Sequence, residues 1–479
     1  MAEHAQEHTL AQQLARFAVV SARDGVPDEV SHSVVQRVVD VLGLCLAARP
    51  LATSIAVTEH ALEAGGAEHA HAVGEGVRLP APAAAFVNGV LAHSLDYDDT
   101  HLPSVLHPSA NVVPAVLAAA EHAGATGEQV VRAVAVGLEV AVRLGMAGYD
   151  EELGNSVYFE HGQHATSICG AMGAAIAAGM VLGLAEDELV HALGLAASKA
   201  SGILEANRTG GTVKRLHCGW AAESGVVAAQ LVARGFTGPP SVLEGRFGFF
   251  ESWLHGDKID LDAVDRDLGR VWSVPGIFFK PYPANHFTHA AVDAGIVLRE
   301  RGVRPDDVRR LVLGVASAPL RTIGQPLSVK QAPGTGYQAQ FSGPYALVVG
   351  MLGGAGLGAG LADYTDELAV DPVRRALMAK VEVVADEQCD RIFPQQFPAV
   401  VTADLRDGTS QRVEVLVNRG GPDRPLSDEE LAVKFRENAA ATLAPAQLAA
   451  VEQRLARLRT GGPVHDLMAM LAPTAVAVA

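Results

Sequence analysis

The sequence predicts a mainly α protein, in which a large all-helical domain carries an inserted, smaller α+β domain. Through most of the first 271 residues, apolar residues recur at helical spacing, and strand-like runs are nearly missing. After Trp272, short β-type runs alternate with helical segments, and helical spacing returns from Ser427 onward. We therefore predict a helical domain over 1–271, an α+β domain over 272–421 and a return of the chain to the helical domain over 422–479. The inserted domain would act as a lid over a cleft.

In the first domain, the apolar spacing predicts helices over 11–46, 54–64, 83–93, 112–122, 127–144, 165–183, 186–198 and 219–235. Asp28 follows Pro27 and marks a helix start, and Pro114 is expected in the first turn of its helix. The window 165–183 consists mostly of small residues, which let helix backbones approach closely, so we expect a tightly packed central helix there. Loops are predicted over 149–163 and 207–212.

In the second domain, strands are predicted over 309–316, 381–385, 400–405 and 411–417, and the Asp407-Gly408 pair predicts a hairpin turn between the last two. Helices are predicted over 288–301 and 344–352. The helices predicted for the return of the chain span 428–438 and 445–457.

Length and composition narrow the classes of function. The chain has 479 residues, of which 49% are hydrophobic and only 19% charged, so it can bury a large core. Its net charge of −17 argues against a nucleic-acid partner, because phosphate binding needs a basic surface. The window 168–185 reaches the length of a membrane span, but it consists mostly of Ala and Gly, which favours a buried helix. We therefore expect no membrane partner. Four widely spaced cysteines form no CxxC pair, which predicts a cytoplasmic protein without a disulfide framework.

The most reactive stretch of the sequence runs from His93 to His107. It places three carboxylates and three histidines between two apolar, nearly uncharged segments. Carboxylates beside apolar surface need pairing or hydrogen bonds, and imidazole beside carboxylate is the usual general acid–base pair near neutral pH. Asp96, Thr100, His101 and His107 are therefore candidate site residues. The alternative is a solvated acidic turn.

Three further segments carry reactive residues in glycine-rich or apolar surroundings. His164 begins the small-residue helix, where free N–H groups favour an anion. Lys214 follows a glycine-rich loop. Lys280 and His286 lie in one segment at the predicted domain junction. Each also has an ordinary interpretation, namely a helix cap, a surface lysine or a helix-start residue. The chain has no Walker loop, GxGxxG, HExxH or GxSxG motif. Together the segments predict a cleft that binds and deprotonates a polycarboxylate.

Several motifs in a fixed order resemble the MmgE/PrpD family, which includes 2-methylcitrate dehydratase, cis-aconitate decarboxylase and iminodisuccinate epimerase. The motifs are His93-Ser94-Leu95-Asp96-Tyr97-Asp98-Asp99-Thr100 with His107-Pro108-Ser109, Gly162-Gln163-His164-Ala165-Thr166-Ser167, Lys214-Arg215-Leu216-His217, Gly235-Phe236-Thr237-Gly238-Pro239, Lys280-Pro281-Tyr282-Pro283 with His286, Ala339-Gln340-Phe341-Ser342, and Pro425-Leu426-Ser427 with Lys434-Phe435-Arg436. The resemblance implies a helical domain with an α+β lid, a homodimer, a pocket between the domains and no metal or organic cofactor.

The resemblance also implies the site residues. The expected catalytic residues are Asp96, His107, His164, Lys214, Lys280 and His286, and the expected substrate-binding residues are Thr100, His101, Gln340 and Ser342. We expect the lysines to hold substrate carboxylates, His107 to transfer a proton while Asp96 polarises it, and His164 and His286 to complete a proton relay or bind a leaving hydroxyl.

The expected function is a cofactor-independent lyase acting on a small di- or tricarboxylic acid, with dehydration of a citrate-like or 2-methylcitrate-like acid placed first. The alternatives are a cis-aconitate decarboxylase-like activity, epimerisation or isomerisation at a carbon α to a carboxylate, and a non-catalytic anion-binding dimer. The stretch from Thr100 to His107 differs from the tryptophan-containing version of 2-methylcitrate dehydratases, and Ala165 replaces a common proline. The sequence therefore leaves the substrate open.

Overall fold

The computed structural model describes residues 8–206, 211–256 and 258–473, and helices dominate it, which confirms the mainly α prediction. The chain divides into two compact units. The first combines Met1–Ile277 with Asn438–Ala479, and the second is Phe278–Glu437. The boundaries predicted from the sequence, at 272 and 422, fall earlier in the chain. The predicted loop over 207–210 lies outside the described residues.

The helices of the first unit before residue 277 are α1 (Leu10–Asp24), α2 (Asp28–Ala48), α3 (Ala52–Ala64), α4 (Ala81–His93), α5 (Ser109–Ala123), α6 (Gly127–Met146), α7 (Val157–Glu160), α8 (Ala165–Val181), α9 (Glu186–Lys199), α10 (Leu216–Val232), α11 (Phe249–Leu254) and α12 (Asp262–Asp265). Two minimal antiparallel pairs accompany them, β1 (Ala70–His71) with β2 (Arg78–Leu79), and β3 (Tyr149–Asp150) with β4 (Asn155–Ser156). The predicted loop over 149–163 therefore contains a short hairpin and a helical turn.

Small residues set how closely the central helices pack. A side chain on Gly173 of α8 would lie 2.4 Å from the carbonyl oxygen of Gly137 in α6, and one on Gly219 of α10 would lie 2.5 Å from that of Phe86 in α4. Only glycine fits at such approaches, because a Cβ atom would have to displace backbone. The prediction that the small-residue helix is central and tightly packed is confirmed, since nearly every residue of α8 is buried.

Helix α5 begins earlier than its sequence predicts. Its first residue is Ser109, so Pro114 lies in the helix interior and the prediction that it occupies the first turn is wrong. The physical reason is local, since the Ser109 N–H and hydroxyl both donate to the Asp99 carboxylate, at 3.2 and 2.5 Å, and this starts the helix directly after Pro108.

One helix, α2, has the length and hydropathy of a membrane span. In its apolar window, however, 72% of the residues are buried inside the unit, as in the core helix of a globular protein. It also carries a buried arginine, Arg37, which is 1% exposed. This residue returns below, because it supports the candidate site.

The second unit is built on a four-stranded sheet. The strands are β5 (Val308–Val315), β6 (Val381–Ala385), β7 (Ala399–Leu405) and β8 (Ser410–Val415), and its helices are α13 (His289–Glu300), α14 (Ser317–Ile323), α15 (Leu327–Lys330), α16 (Gly336–Ala339), α17 (Gly343–Leu352), α18 (Asp366–Ala369), α19 (Pro372–Met378) and α20 (Glu387–Ile392). Strand β5 pairs parallel with β6 and antiparallel with β7, and β7 pairs antiparallel with β8. The hairpin predicted at Asp407-Gly408 is confirmed: Gly408 has φ +88°, and the Thr409 N–H donates to Asp407 Oδ1.

The chain returns to the first unit through α21 (Asp428–Ala439), which spans the boundary at residue 438. Most of α21 belongs to the second unit, where Leu431 packs with Phe279 and Leu426. Of the helices described after residue 427, α22 (Pro445–Ala456) and α23 (Val464–Ala469) lie wholly in the first unit.

Candidate active site

The first unit brings five of the predicted site residues to one place. His107, His164 and Lys214 line a single pocket of about 40 Å³, together with Val105 and Gln163. Lys214 Nζ lies 3.4 Å from Asp96 Oδ1, and Thr100 Oγ1 lies 3.3 Å from His107 Nδ1. Ligand pockets commonly measure roughly 300–1,000 Å³, so this pocket by itself can hold only part of a tricarboxylic acid.

The segment that carries Asp96 and His107 has an unusual backbone. Asp96 has φ +51° and Val105 has φ +54°. The left-handed region is tolerated by aspartate but is strained for a β-branched residue, at a cost of about 1–3 kcal/mol. His101 forms an isolated antiparallel bridge with Leu106, so the chain reverses direction between these two residues. This local fold aims both ends of the segment at the same pocket.

His107 is held by its own loop. Its Nδ1–H donates to the Asp99 carbonyl oxygen at 2.7 Å, and its backbone N–H donates to Thr166 Oγ1 at 3.1 Å. A carbonyl oxygen only accepts, so Nδ1 must carry a proton and the neutral ring has its lone pair on Nε2. The carboxylate described beside this ring belongs to Asp98, at 3.9 Å from Nδ1. The role expected for Asp96 in polarising His107 stays a prediction.

Asp99 is the buried anchor of this loop. Its carboxylate accepts from Arg37 Nη1 at 2.8 Å as well as from Ser109, and both charged side chains are 1% exposed. Arg37 Nη2 donates to the carbonyl oxygens of Val274 and Ile277, at 3.0 and 2.8 Å. Burial raises the pKa of Asp99, and the Arg37 charge opposes that rise. The buried pair therefore fixes the peptide that orients His107.

Two further histidine rings, which are not among the predicted site residues, lie beside the two that line the pocket. The ring of His93 lies 5.3 Å from that of His107 and 5.7 Å from that of His164, and its Nδ1 lies 2.8 Å from Asp98 Oδ2. The fourth, His217, faces His164 with an Nδ1–Nδ1 distance of 2.8 Å. We call His93, His107, His164 and His217 the pocket histidine cluster.

The His164–His217 pair is held in the neutral form. Burial lowers the pKa of His164 well below its usual value, and the charge of Lys214 lowers it further. Burial also lowers the pKa of His217, to about 4. Because the two Nδ1 atoms share one hydrogen bond, one of them must accept, so both rings cannot be fully protonated. The neighbourhood of Lys214 thus offers one fixed cation and two neutral imidazoles.

His101, a predicted substrate-binding residue, turns to a neighbour in its own loop. Its Nδ1 lies 2.7 Å from Ser104 Oγ. Burial and the charge of Arg37 lower its pKa to about 4, so it is neutral at physiological pH. Its ring is absent from the lining of the pocket described above.

The other predicted residues lie in the second unit. Lys280 and His286 are buried, at 2% and 6% exposure, and the His286 ring lies 4.6 Å from that of His289. The Gln340 carbonyl oxygen accepts from the Asn285 N–H at 2.9 Å, which joins these two segments. Ser342 is the N-cap of α17, since its hydroxyl accepts from the Tyr345 N–H and donates to the Lys330 carbonyl oxygen. The substrate-binding roles of Gln340 and Ser342 stay predictions.

A larger cavity of about 570 Å³ also lies within the second unit, but none of the predicted residues lines it. Two of its three arginines are already paired: Arg419 donates to Glu430, and Arg424 Nη1 donates to Asp293 Oδ2 at 2.7 Å. We therefore assign the candidate chemistry to the pocket of the first unit, where histidines and a lysine converge.

Known proteins resemble this chain over most of its length. Residues 12–262 match the MmgE/PrpD N-terminal domain, and residues 282–458 match the MmgE/PrpD C-terminal domain. The cis-aconitate decarboxylase of Mus musculus is 30% identical over 379 residues, which is 76% of this chain and 73% of that protein. The cis-aconitate decarboxylase of Aspergillus terreus is 27% identical over 83% of each chain.

A dehydratase relative also covers most of the chain. The 2-methylcitrate dehydratase of Cupriavidus necator is 28% identical over 392 residues, 77% of each protein. The two family domains together span nearly all of the described residues, and the relatives with printed activities are enzymes. This chain belongs to the MmgE/PrpD family.

Proposed function

We propose that this protein is a cofactor-independent lyase acting on a small di- or tricarboxylic acid, and that decarboxylation of a cis-aconitate-like acid is its reaction. The observation that carries the proposal is the convergence of His107, His164 and Lys214 on one pocket. The sequence motifs alone favour dehydration. The cis-aconitate decarboxylases, matched at up to 30% identity over three quarters of the chain, lead us to place decarboxylation first instead.

Lys214 is the group we assign to a substrate carboxylate. Its side chain is 27% exposed and its Nζ stands 3.4 Å from Asp96, a distance at which a second anion can compete for the ammonium. The neutral His164 and His217 beside it donate or accept hydrogen bonds without adding charge. A carboxylate bound there meets one cation and several fixed dipoles, the arrangement that stabilises developing negative charge.

His107 is the group we assign to proton transfer. Because Nδ1–H is bound to the Asp99 carbonyl oxygen, Nε2 is the nitrogen that exchanges a proton with substrate. The buried Asp98 carboxylate lies 3.9 Å from Nδ1, close enough to offset the positive charge of the ring while it carries a second proton. The loop thus presents one oriented nitrogen that can act as acid and then be reprotonated from solvent.

The proposed step balances without a cofactor. The C–C bond to the departing carboxylate breaks, and its electron pair becomes a new C=C bond as CO₂ leaves. The original double bond shifts, and its far carbon takes a proton from His107 Nε2. One proton is consumed for each CO₂ released. The remaining carboxylates carry the charge that Lys214 and the pocket dipoles offset.

Dehydration of a 2-methylcitrate-like acid is the second candidate, favoured by the end-to-end match to the Cupriavidus necator enzyme. In that reaction a base removes a proton from carbon while the C–O bond breaks, and an acid protonates the leaving hydroxyl. The pocket histidine cluster offers both an acid and a base. Epimerisation at a carbon α to a carboxylate needs the same proton removal and stays the third possibility.

Product analysis decides between these reactions. The purified protein is incubated separately with cis-aconitate and with 2-methylcitrate, and the products are followed by NMR. Loss of CO₂ from cis-aconitate supports the proposal, and loss of water from 2-methylcitrate replaces it with the second candidate. Conversion of neither acid, with stabilisation by both in a thermal shift, would instead indicate an anion-binding protein.

The remaining expectations stay part of the proposal. Lys280 and His286 are proposed to act on the same substrate, the second unit is proposed to serve as a lid, and the protein is proposed to be a cytoplasmic homodimer. The burial of Lys280, at 2% exposure, supports a specific role, because a lysine is rarely buried without one.

A further inference from the structure

A second group of histidines lies in the first unit, outside the pocket histidine cluster. His71 comes from strand β1, Glu121 from the last turns of helix α5, and His465 from the first turn of helix α23. They are far apart in the sequence. Their ligand atoms nevertheless lie within 4.8 Å of one another.

One carboxylate oxygen is the centre of this group. Glu121 Oε1 lies 2.5 Å from His71 Nδ1 and 3.2 Å from His465 Nδ1. The other oxygen, Oε2, accepts from the His71 backbone N–H at 2.8 Å. That bond holds the carboxylate so that Oε1 faces both rings. The Glu121 side chain is fully buried, whereas the His465 side chain is 42% exposed.

The backbone around the group is fixed independently of these side chains. The Val464 N–H donates to the Ala125 carbonyl oxygen at 3.1 Å, which sets the start of α23 against the end of α5. The His71 carbonyl oxygen accepts from Asn88 Nδ2 at 3.0 Å. The main chain therefore brings the three side chains together, so a cation would bind to groups that are already in position.

We propose that His71, Glu121 and His465 bind a divalent cation of the zinc class. Two imidazoles and one carboxylate are a common Zn²⁺ donor set, with the remaining position open to water. Ligands about 2.1 Å from a tetrahedral ion lie about 3.4 Å from each other. The His465–Glu121 distance is close to that value, and the His71 ring has to withdraw by less than 1 Å. The exposed edge of His465 gives the ion its route of entry.

The bound cation would link distant parts of the chain. It would join strand β1, the end of α5 and α23, whose ligand residues are separated by 50 and 344 residues. Because only the native chain assembles these ligands, the ion would stabilise the folded state. The competing explanation is a hydrogen-bonded triad in which both Nδ1–H groups donate to Glu121 and no metal binds.

Zinc titration of the full chain separates the two explanations. The protein is prepared without a histidine tag, treated with EDTA, desalted and titrated with ZnCl₂ by isothermal calorimetry, and its melting temperature is measured with and without Zn²⁺. We expect one saturable site and a rise in melting temperature. His465→Ala should weaken the site at least ~10-fold, the scale of lost support at metal sites, and should abolish the rise.

Matched variants make the result specific. His122→Ala removes an exposed histidine adjacent to Glu121 but outside the group, and it should bind Zn²⁺ as the wild type does. Glu121→Gln keeps the size of the side chain and should also lose the site. A wild-type titration without a saturable site would overturn the proposal, as would undiminished affinity in either His465→Ala or Glu121→Gln. Circular dichroism of each variant establishes that the fold is retained.

Discussion

The two histidine clusters of the first unit use the same side chain differently. In the pocket histidine cluster the rings contact one another, and each hydrogen bond has a different partner: a backbone carbonyl for His107, a carboxylate for His93 and a second imidazole for His164. In the group around Glu121, both rings direct the same nitrogen to one oxygen atom. In the first arrangement the rings bond to different partners, whereas in the second both rings face one carboxylate oxygen.

The backbone shows the same contrast. The loop that carries His107 contains two non-glycine residues in the left-handed region, Asp96 and Val105. The described segments beside the Glu121 group turn through glycines instead, with φ +77° at Gly74 and +68° at Gly124. Strain is thus concentrated in the loop that lines the candidate pocket, and it is avoided in the turns beside the Glu121 group.

The largest expected effect is on turnover. His107→Ala and Lys214→Ala should each keep the fold and lower kcat/KM by ~10²-fold or more, because each removes a group we assign to proton transfer or to charge stabilisation. The assay is the conversion of whichever acid the product analysis identifies. His122→Ala and Lys199→Ala, at exposed helix ends, are the matched controls. Near-wild-type turnover in His107→Ala and Lys214→Ala would remove the catalytic assignment from this cluster.

The next largest effect is on stability, through the anchor that positions His107. Arg37→Met leaves the Asp99 carboxylate buried without its cation, and breaking a buried pair in this way costs about 3–5 kcal/mol. We expect urea unfolding to show this loss. The double variant Arg37→Met/Asp99→Leu should recover much of it, because no buried charge is then left unpaired. Equal stability of single variant and wild type would show that the pair does not hold the loop.

Much of this architecture follows from apolar spacing, because helices with one buried face repeat every three or four residues. The strand and hairpin pattern at Asp407-Gly408 is also predictable from the sequence, since this turn places a glycine at positive φ. The two-residue strands around Tyr149 and Asn155 were not, because so short a pair has no periodicity to detect. Pro114 was misplaced because the start of α5 depends on Asp99, a contact ten residues away.

The candidate site also contains residues that the sequence predicts and residues that it does not. Motif resemblance identified His107, His164 and Lys214, which line one pocket. It did not single out His93 or His217, whose importance comes from ring-to-ring distances that no linear spacing encodes. Arg37 did carry a signal, because one arginine interrupts an apolar helix face between Val34 and Val38 and such a charge must find a partner when buried.

A smaller effect is expected from acid. The pKa of His217 falls from 6.5 to about 4 on folding, so the folded protein binds fewer protons than the unfolded chain between these values. Stability should therefore fall as the pH is lowered from 6.5 towards 4, with about 1–3 kcal/mol from this residue. In His217→Asn the pH dependence of urea unfolding should be shallower, whereas the exposed His8→Asn should leave it unchanged. An unchanged slope in His217→Asn would contradict the neutral imidazole pair.

The smallest effect concerns the strain itself. Val105→Asn should raise the free energy of unfolding by about 0.5–1 kcal/mol, because asparagine tolerates positive φ better than a β-branched residue and only partial apolar burial is lost. Val20→Asn, at an exposed helical position, is the control and should give no stabilisation. Val105 also lines the pocket, so turnover should fall while stability rises. If Val105→Asn is no more stable than the control, the loop is unstrained and the contrast with the glycine turns around Glu121 has no energetic meaning.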